Sequence, residues 1–187
     1  RTIKNSQAVE SLKEQHGDTI SDQILKYKKN DTLFVLGSGP SINDITANQW
    51  EVIRNNDSIG FNMWLAHDFV PTYYMFQLVD NDLGETMISL LNKKFDDYRK
   101  VPFIIRGNGL ANGLFDFEND RLKKLKELEI FYLKEYFIHP NCGIKPEDLY
   151  EYAEAIGILK YKKITEYILK NKVPLGLILP LAYEMGY

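Results

Sequence analysis

Apolar and polar positions divide the chain into short, nearly continuous apolar runs and longer amphipathic ones. The apolar runs lie at residues 32–36, 57–62, 72–79, 101–106 and 130–133. Runs this short, rich in Phe, Tyr, Val and Ile and with little alternation, are what strands buried on both faces look like. Between them the spacing predicts helices. Residues 45–54 put Trp50 and Ile53 on one face with Ile45 and Ile42, and residues 63–69 form a helical turn carrying Trp64 and His67. Residues 84–98 place Met87, Leu90, Leu91 and Phe95 at helical spacing, and residues 120–127 form a charged helix. Strand alternating with helix predicts an α/β, three-layer Rossmann-like domain with a mostly parallel sheet of about five strands.

The flanks read differently. Residues 6–29 suggest one or two helices with apolar Val9, Leu12, Ile20, Ile24 and Leu25, broken at His16-Gly17-Asp18, so that 1–30 forms an N-terminal helical segment. Residues 135–142 look irregular. Two helices, about 145–156 and 162–171, rich in Tyr and Lys, read as a helical lid inserted at about 144–171 in a main domain spanning 31–187. The last helix, 174–185, is apolar on nearly all sides, with Pro174 in its first turn, Pro180 expected to kink or weaken it, and Gly186 at its C-cap. Arg1 is not a natural start, and an α/β chain would continue from such a helix into a strand. A piece of a longer polypeptide, truncated at its C-terminus, is therefore expected.

Composition narrows the function classes. A net charge of −3 gives no support to nucleic-acid binding, which calls for a basic surface. The single cysteine, Cys142, excludes an internal disulfide and a cysteine-based zinc cluster. No signal peptide is visible, and no apolar run reaches the roughly 18–20 residues of a membrane span. The aromatic content of 13% suits a protein that contacts sugars or bases, and suits an AT-rich coding bias equally well.

The candidate chemistry gathers where strands end. The first strand breaks into Gly37-Ser38-Gly39-Pro40-Ser41. The glycines can take positive φ or let a ligand approach the backbone, and Ser41, Asn43 and Asp44 suit a helix N-cap. A strand, a Gly-rich turn and a helix start together aim free N–H groups at an anion, most often a nucleotide phosphate. The plain alternative is a tight connection. The turn is neither the dinucleotide fingerprint, since Ile42 stands at the sixth position of G-x-G-x-x-G, nor a P-loop, since no Gly-Lys-Ser/Thr follows. Asn62 ends the second strand on the same side, where its amide could meet a base or ribose, or simply terminate the strand. Gln77 and Asp80 end the third; the acidic cluster there could hold a cation, though loop capping accounts for it better. Arg106 and Asn108 follow the fourth strand, where Arg106 could meet a phosphate or sugar carboxylate, or form a surface ion pair. His67 and Asp68, being adjacent, do not face each other on a helix, and His139 with Cys142 lacks further ligands, so neither makes a catalytic pair or metal site.

Leu36-Gly37-Ser38-Gly39-Pro40-Ser41-Ile42, then Gly60-Phe61-Asn62, then Pro71-Thr72-Tyr73-Tyr74 resemble the bacterial sialyltransferases of the Campylobacter type and related Kdo-transferase proteins of surface-polysaccharide synthesis. The resemblance covers 32–77 well and 172–187 weakly. It implies a GT-A-like variant of the parallel Rossmann-type sheet and transfer of sialic acid or Kdo from a CMP-sugar donor to an oligosaccharide, lipopolysaccharide or capsule acceptor. No cofactor or catalytic metal is implied. Ser38, Gly39 and Ser41 would contact the nucleotide phosphate and ribose, and Asn62 and Gln77 the nucleotide. A cytoplasmic enzyme follows, held at the inner face of the membrane, if at all, by parts outside these residues, and a homo-oligomer is compatible with it. The departures are Ser38, where the family has Asn, and the helix start near 173–176, where only Gly176 matches. The family's catalytic His would lie beyond Tyr187, so no catalytic residue is assigned. A second resemblance, to archaeal pterin diphosphokinase-like proteins, would make Asp80 a magnesium ligand. A third possibility is a non-catalytic domain of a larger polysaccharide-biosynthesis protein.

Overall fold

The computed structural model describes residues 22–77, 79, 81–106, 122–133, 135–137, 168–170 and 175–187. Five strands form one sheet: β1 Leu33–Leu36, β2 Asp57–Phe61, β3 Tyr73–Phe76, β4 Phe103–Arg106 and β5 Ile130–Leu133. Their spatial order is their sequence order, and every pairing is parallel. The protein has the α/β, Rossmann-like architecture that the alternation of strand and helix predicts.

Sequential order has a geometric consequence. Right-handed crossovers that always step the same way put all their connecting segments on one face of the sheet. That face carries α1 Ala47–Arg54, a 3-10 turn Asn62–Ala66, α2 Asp82–Lys93, α3 Phe95–Tyr98 and a 3-10 turn Lys123–Glu127. Their buried Ile53, Trp64, Leu65, Met87, Leu91, Tyr98 and Leu125 pack against Tyr74, Phe76, Phe103 and Tyr132 of the strands. The opposite face is covered from the two ends of the described chain. A 3-10 turn Asp22–Tyr27 contributes Ile24, and α4 Leu175–Glu184 contributes Leu177, Ile178 and Leu181, against Ile59, Tyr73, Met75, Ile104 and Phe131. Each such side chain contributes about 1.5–3 kcal/mol by leaving water. Strands covered on both sides explain why their sequence shows no alternation.

Several expected elements differ in detail. The helix expected over 84–98 is two, because the chain turns at Lys94 between α2 and α3. The charged helix and the turn after β2 are 3-10 rather than α, as short segments often are. Residues Glu135–Phe137, expected to be irregular, form β6. It pairs in parallel with β7, Ile168–Lys170, where the end of a lid helix was expected. The two segments lie about thirty residues apart in sequence, and no local periodicity announces such a pairing. The rest of the lid and residues 1–21 lie outside the described residues.

Helix α4 continues through Pro180, although the ring removes one intrahelical bond. Its buried face and its end hold it. Gly186 takes φ 77°, its N–H donates to the Tyr183 carbonyl, and the Tyr187 N–H donates to the Ala182 carbonyl. This is the Schellman arrangement, and its left-handed position favours glycine at Gly186.

Candidate functional site

Strand register brings the sequence-predicted residues to one edge. Leu36 of β1 lies opposite Gly60 of β2, Phe61 opposite Met75 of β3, Phe76 opposite Ile105 of β4, and Arg106 opposite Leu133 of β5. The strands therefore end at nearly the same level. Gly37 and Ser38 leave β1 beside Asn62 leaving β2, which is beside Gln77 leaving β3. Arg106 is the last residue of β4. Asp80 and Asn108 lie outside the described residues. This C-terminal edge is where parallel α/β sheets bind ligands, although that rule adds a reversal of strand order, and the order of β1 to β5 contains none.

The loop after β1 differs from the expected helix start. Residues Pro40–Asp44 form a 3-10 turn whose cap, Gly39, is extended at φ −73°, ψ 157° and receives no side-chain bond. Ser41, Asn43 and Asp44 sit inside that turn and do not cap an α-helix. The α-helix begins at Ala47 with Thr46 as its N-cap. Thr46 and Gln49 bond reciprocally, closing a capping box. The N-terminus of α1 is therefore occupied by its own residues.

Of the two uses expected of the glycines, positive φ is not found. Neither Gly37 nor Gly39 has positive φ; Gly186 is the glycine that does among the described residues. A Cβ on Gly37 would meet Phe61 Cζ at 3.6 Å, and one on Gly39 would meet Ser41 Oγ at 4.0 Å, both ordinary contacts. The folded chain thus gives no steric reason for glycine at either position. Gly60 is the contrast, because its Cβ would lie 2.6 Å from the Trp64 ring. Ser38, Gly39 and Ser41 are exposed, and among the described residues the N–H groups of Ser38 and Gly39 have no hydrogen-bond partner.

Asn62 is the non-glycine residue with left-handed backbone among those described, at φ 53°. Asn tolerates that region better than most residues but still at a cost on the order of 1 kcal/mol. Its carbonyl accepts a hydrogen bond from the Tyr74 hydroxyl. Its side-chain amide has no partner among the described residues. Gln77 is half-buried and partnered.

The N-terminal edge is built in the opposite way. Asp57 is fully buried at the start of β2. Its carboxylate accepts from the backbone N–H groups of Lys29 (2.7 Å) and Asn30 (2.9 Å), from Thr72 Oγ1 (3.4 Å) and from the Tyr187 hydroxyl (2.9 Å). The Tyr187 hydroxyl also lies 3.1 Å from that of Tyr73, whose pKa is pushed up to about 12, chiefly by burial. Ser58 and Thr72 exchange two further bonds. An open cleft of 340 Å³ lies at this edge, lined by Lys29, Asn30, Asn55, Asn56 and Thr72 among others. Several polar groups of its lining are bonded within the chain: Asn30 Nδ2 donates to the Asn55 carbonyl, Asn56 Nδ2 donates to the Val52 carbonyl, and Ser58 and Thr72 bond each other.

His67 has a structural place. Its ring packs against both Trp50 (5.0 Å) and Trp64 (4.6 Å), which also contact each other, and Nδ1 accepts the Phe69 N–H at 2.9 Å. Burial lowers its pKa, with Asp68 opposing and Lys94 reinforcing the shift. Among the described residues no group of three His, Cys, Asp or Glu side chains could hold a metal ion, and no helix is long and apolar enough to cross a membrane.

Sequence reasoning missed Asp57, Gly60 and Tyr74. A signal existed for the first two, a carboxylate and a glycine inside a run otherwise suited to a buried strand. No family model, curated protein or solved structure matches the chain. What it does has to be read from its own residues.

Proposed function

We propose that the chain binds a nucleotide at the C-terminal edge of its sheet and serves a glycosyltransferase that moves a sugar such as sialic acid or Kdo from a CMP-sugar donor to a surface-glycan acceptor. One observation carries the nucleotide half. Gly37 and Gly39 have negative φ and room for a Cβ, so the remaining use for glycine there is close approach of a ligand to the backbone. The N–H groups of Ser38 and Gly39, without a partner among the described residues, are donors suited to a phosphate. The Asn62 amide on the neighbouring strand end is suited to the base or ribose.

The CMP-sugar half rests on the resemblance of residues 36–42, 60–62 and 71–74. In that reading the loop N–H groups stabilise the departing CMP phosphate, and a base outside the assigned residues takes the acceptor proton.

A thermal-shift panel of CMP, CTP, UDP, ATP and their sugars, with and without magnesium, tests the proposal. A shift with CMP or a CMP-sugar that needs no metal supports it. A shift only with a magnesium-bound purine nucleotide supports pyrophosphokinase chemistry at Asp80 instead. No shift with any nucleotide supports a non-catalytic domain.

A further inference from the structure

A left-handed backbone at a non-glycine residue persists only where its surroundings impose it. At Asn62 those surroundings are specific. The Tyr74 hydroxyl donates to the Asn62 carbonyl oxygen. Tyr74 is fully buried, and its ring packs against Phe76 at 6.1 Å, Tyr98 at 5.6 Å and Phe103 at 5.3 Å. Wedged on three sides, the ring cannot carry its hydroxyl elsewhere. On the far side of the turn, Trp64 folds back over Gly60, which has no Cβ to obstruct it. The turn at Asn62 is thus fixed before and after, while its amide has no partner among the described residues.

We infer that Tyr74 is a positioning residue: its hydroxyl clamps the Asn62 backbone in the left-handed turn and so presents the Asn62 amide, preorganised, to the ligand at the strand ends. The amide offers one acceptor and two donors on a planar group. Held in one orientation, it favours a ligand with a complementary donor and acceptor, such as the edge of a cytosine or a pair of ribose hydroxyls. A core aromatic thereby acts on specificity without touching the ligand. The identity of that ligand rests on the nucleotide reading above, whereas the clamp does not.

The test uses NMR of the isotopically labelled wild type, Tyr74→Phe and Tyr98→Phe, each titrated with CMP. Tyr98 is the control, because its hydroxyl is buried without a partner among the described residues. Tyr74→Phe is expected to shift the backbone and side-chain amide signals of Asn62 and to weaken CMP binding roughly tenfold, with the melting temperature little changed. Tyr98→Phe should do neither to Asn62 nor to CMP. Unmoved Asn62 signals in Tyr74→Phe would overturn the clamp. Moved signals with undiminished CMP affinity would overturn the positioning role. Moved signals in a protein whose wild type binds no nucleotide would uphold the clamp and overturn the nucleotide reading alone. Should Tyr74→Phe fail to fold, Asn62→Gly keeps the backbone accessible to φ 53° and removes the amide. It is expected to cost CMP affinity about tenfold, and unchanged affinity would overturn the inference.

Discussion

The two edges of one sheet are built to opposite specifications. At the N-terminal edge a buried carboxylate, Asp57, satisfies donors from the chain before β1, the loop before β3 and Tyr187, three residues past α4. Lys28 adds to that closure, donating at 2.5 Å to the Gly186 carbonyl and lying over the Tyr187 ring. At the C-terminal edge the backbone of Ser38 and Gly39 has donors with no partner among the described residues, Asn62 is strained, and two glycines occupy positions where any small residue would fit. Polar groups at one edge are bonded within the fold, whereas at the other the Ser38 and Gly39 N–H groups and the Asn62 amide have no partner among the described residues. The cleft at the N-terminal edge belongs to the same pattern, since Asn30, Asn56, Ser58 and Thr72 of its lining bond to other groups of the chain.

The largest effect should come from breaking the closed edge. Asp57→Ala leaves two backbone N–H groups and two hydroxyls without their acceptor in a buried place, and is expected to cost about 3 kcal/mol or more in urea unfolding. Nucleotide binding by the fraction that remains folded should be unchanged. A loss under about 0.5 kcal/mol would mean the network is decorative.

The glycines sharpen the comparison further. Gly60→Ala drives a Cβ into Trp64 and is expected to destabilise by about 1–3 kcal/mol. Gly39→Ala meets only an ordinary contact, Ser41 Oγ at 4.0 Å, at an ordinary φ and is expected to stabilise by about 0.4–1 kcal/mol while weakening nucleotide binding. Equal effects of the two substitutions on stability would erase the contrast between structural and ligand-facing glycine.

The smallest effect concerns pH. Burial lowers the His67 pKa, so the folded state favours the neutral ring whose Nδ1 accepts from Phe69. That contribution is complete above the unfolded pKa of about 6.5 and is lost as pH falls through the lower folded value. Wild-type stability should therefore fall more steeply than that of His67→Phe as the pH drops below about 6.5. Parallel slopes would show that His67 does not titrate with folding.

Much of the fold was legible because burial on both faces leaves an unmistakable trace. Ile130-Phe131-Tyr132-Leu133 reads as a strand and is one, residue for residue. Helix α1 was legible from Trp50 and Ile53, and its true start from Thr46 and Gln49, a capping box that the preceding Ser41 and Asn43 obscured. The β6–β7 pair was not legible, since its partners meet only through tertiary folding. At the candidate site, the strand-end positions of Ser38, Asn62 and Gln77 followed from the strands alone. What holds Asn62 did not, because a hydroxyl twelve residues away along the chain leaves no local pattern.

The most direct test asks which edge a nucleotide touches. Amide chemical-shift mapping of the labelled protein with CMP should perturb Gly37, Ser38, Gly39, Ser41 and Asn62 and leave Lys29, Asn30, Asn55 and Asn56 in place. Perturbation centred on the second group, or on neither, would contradict the assignment of the open edge as the binding edge.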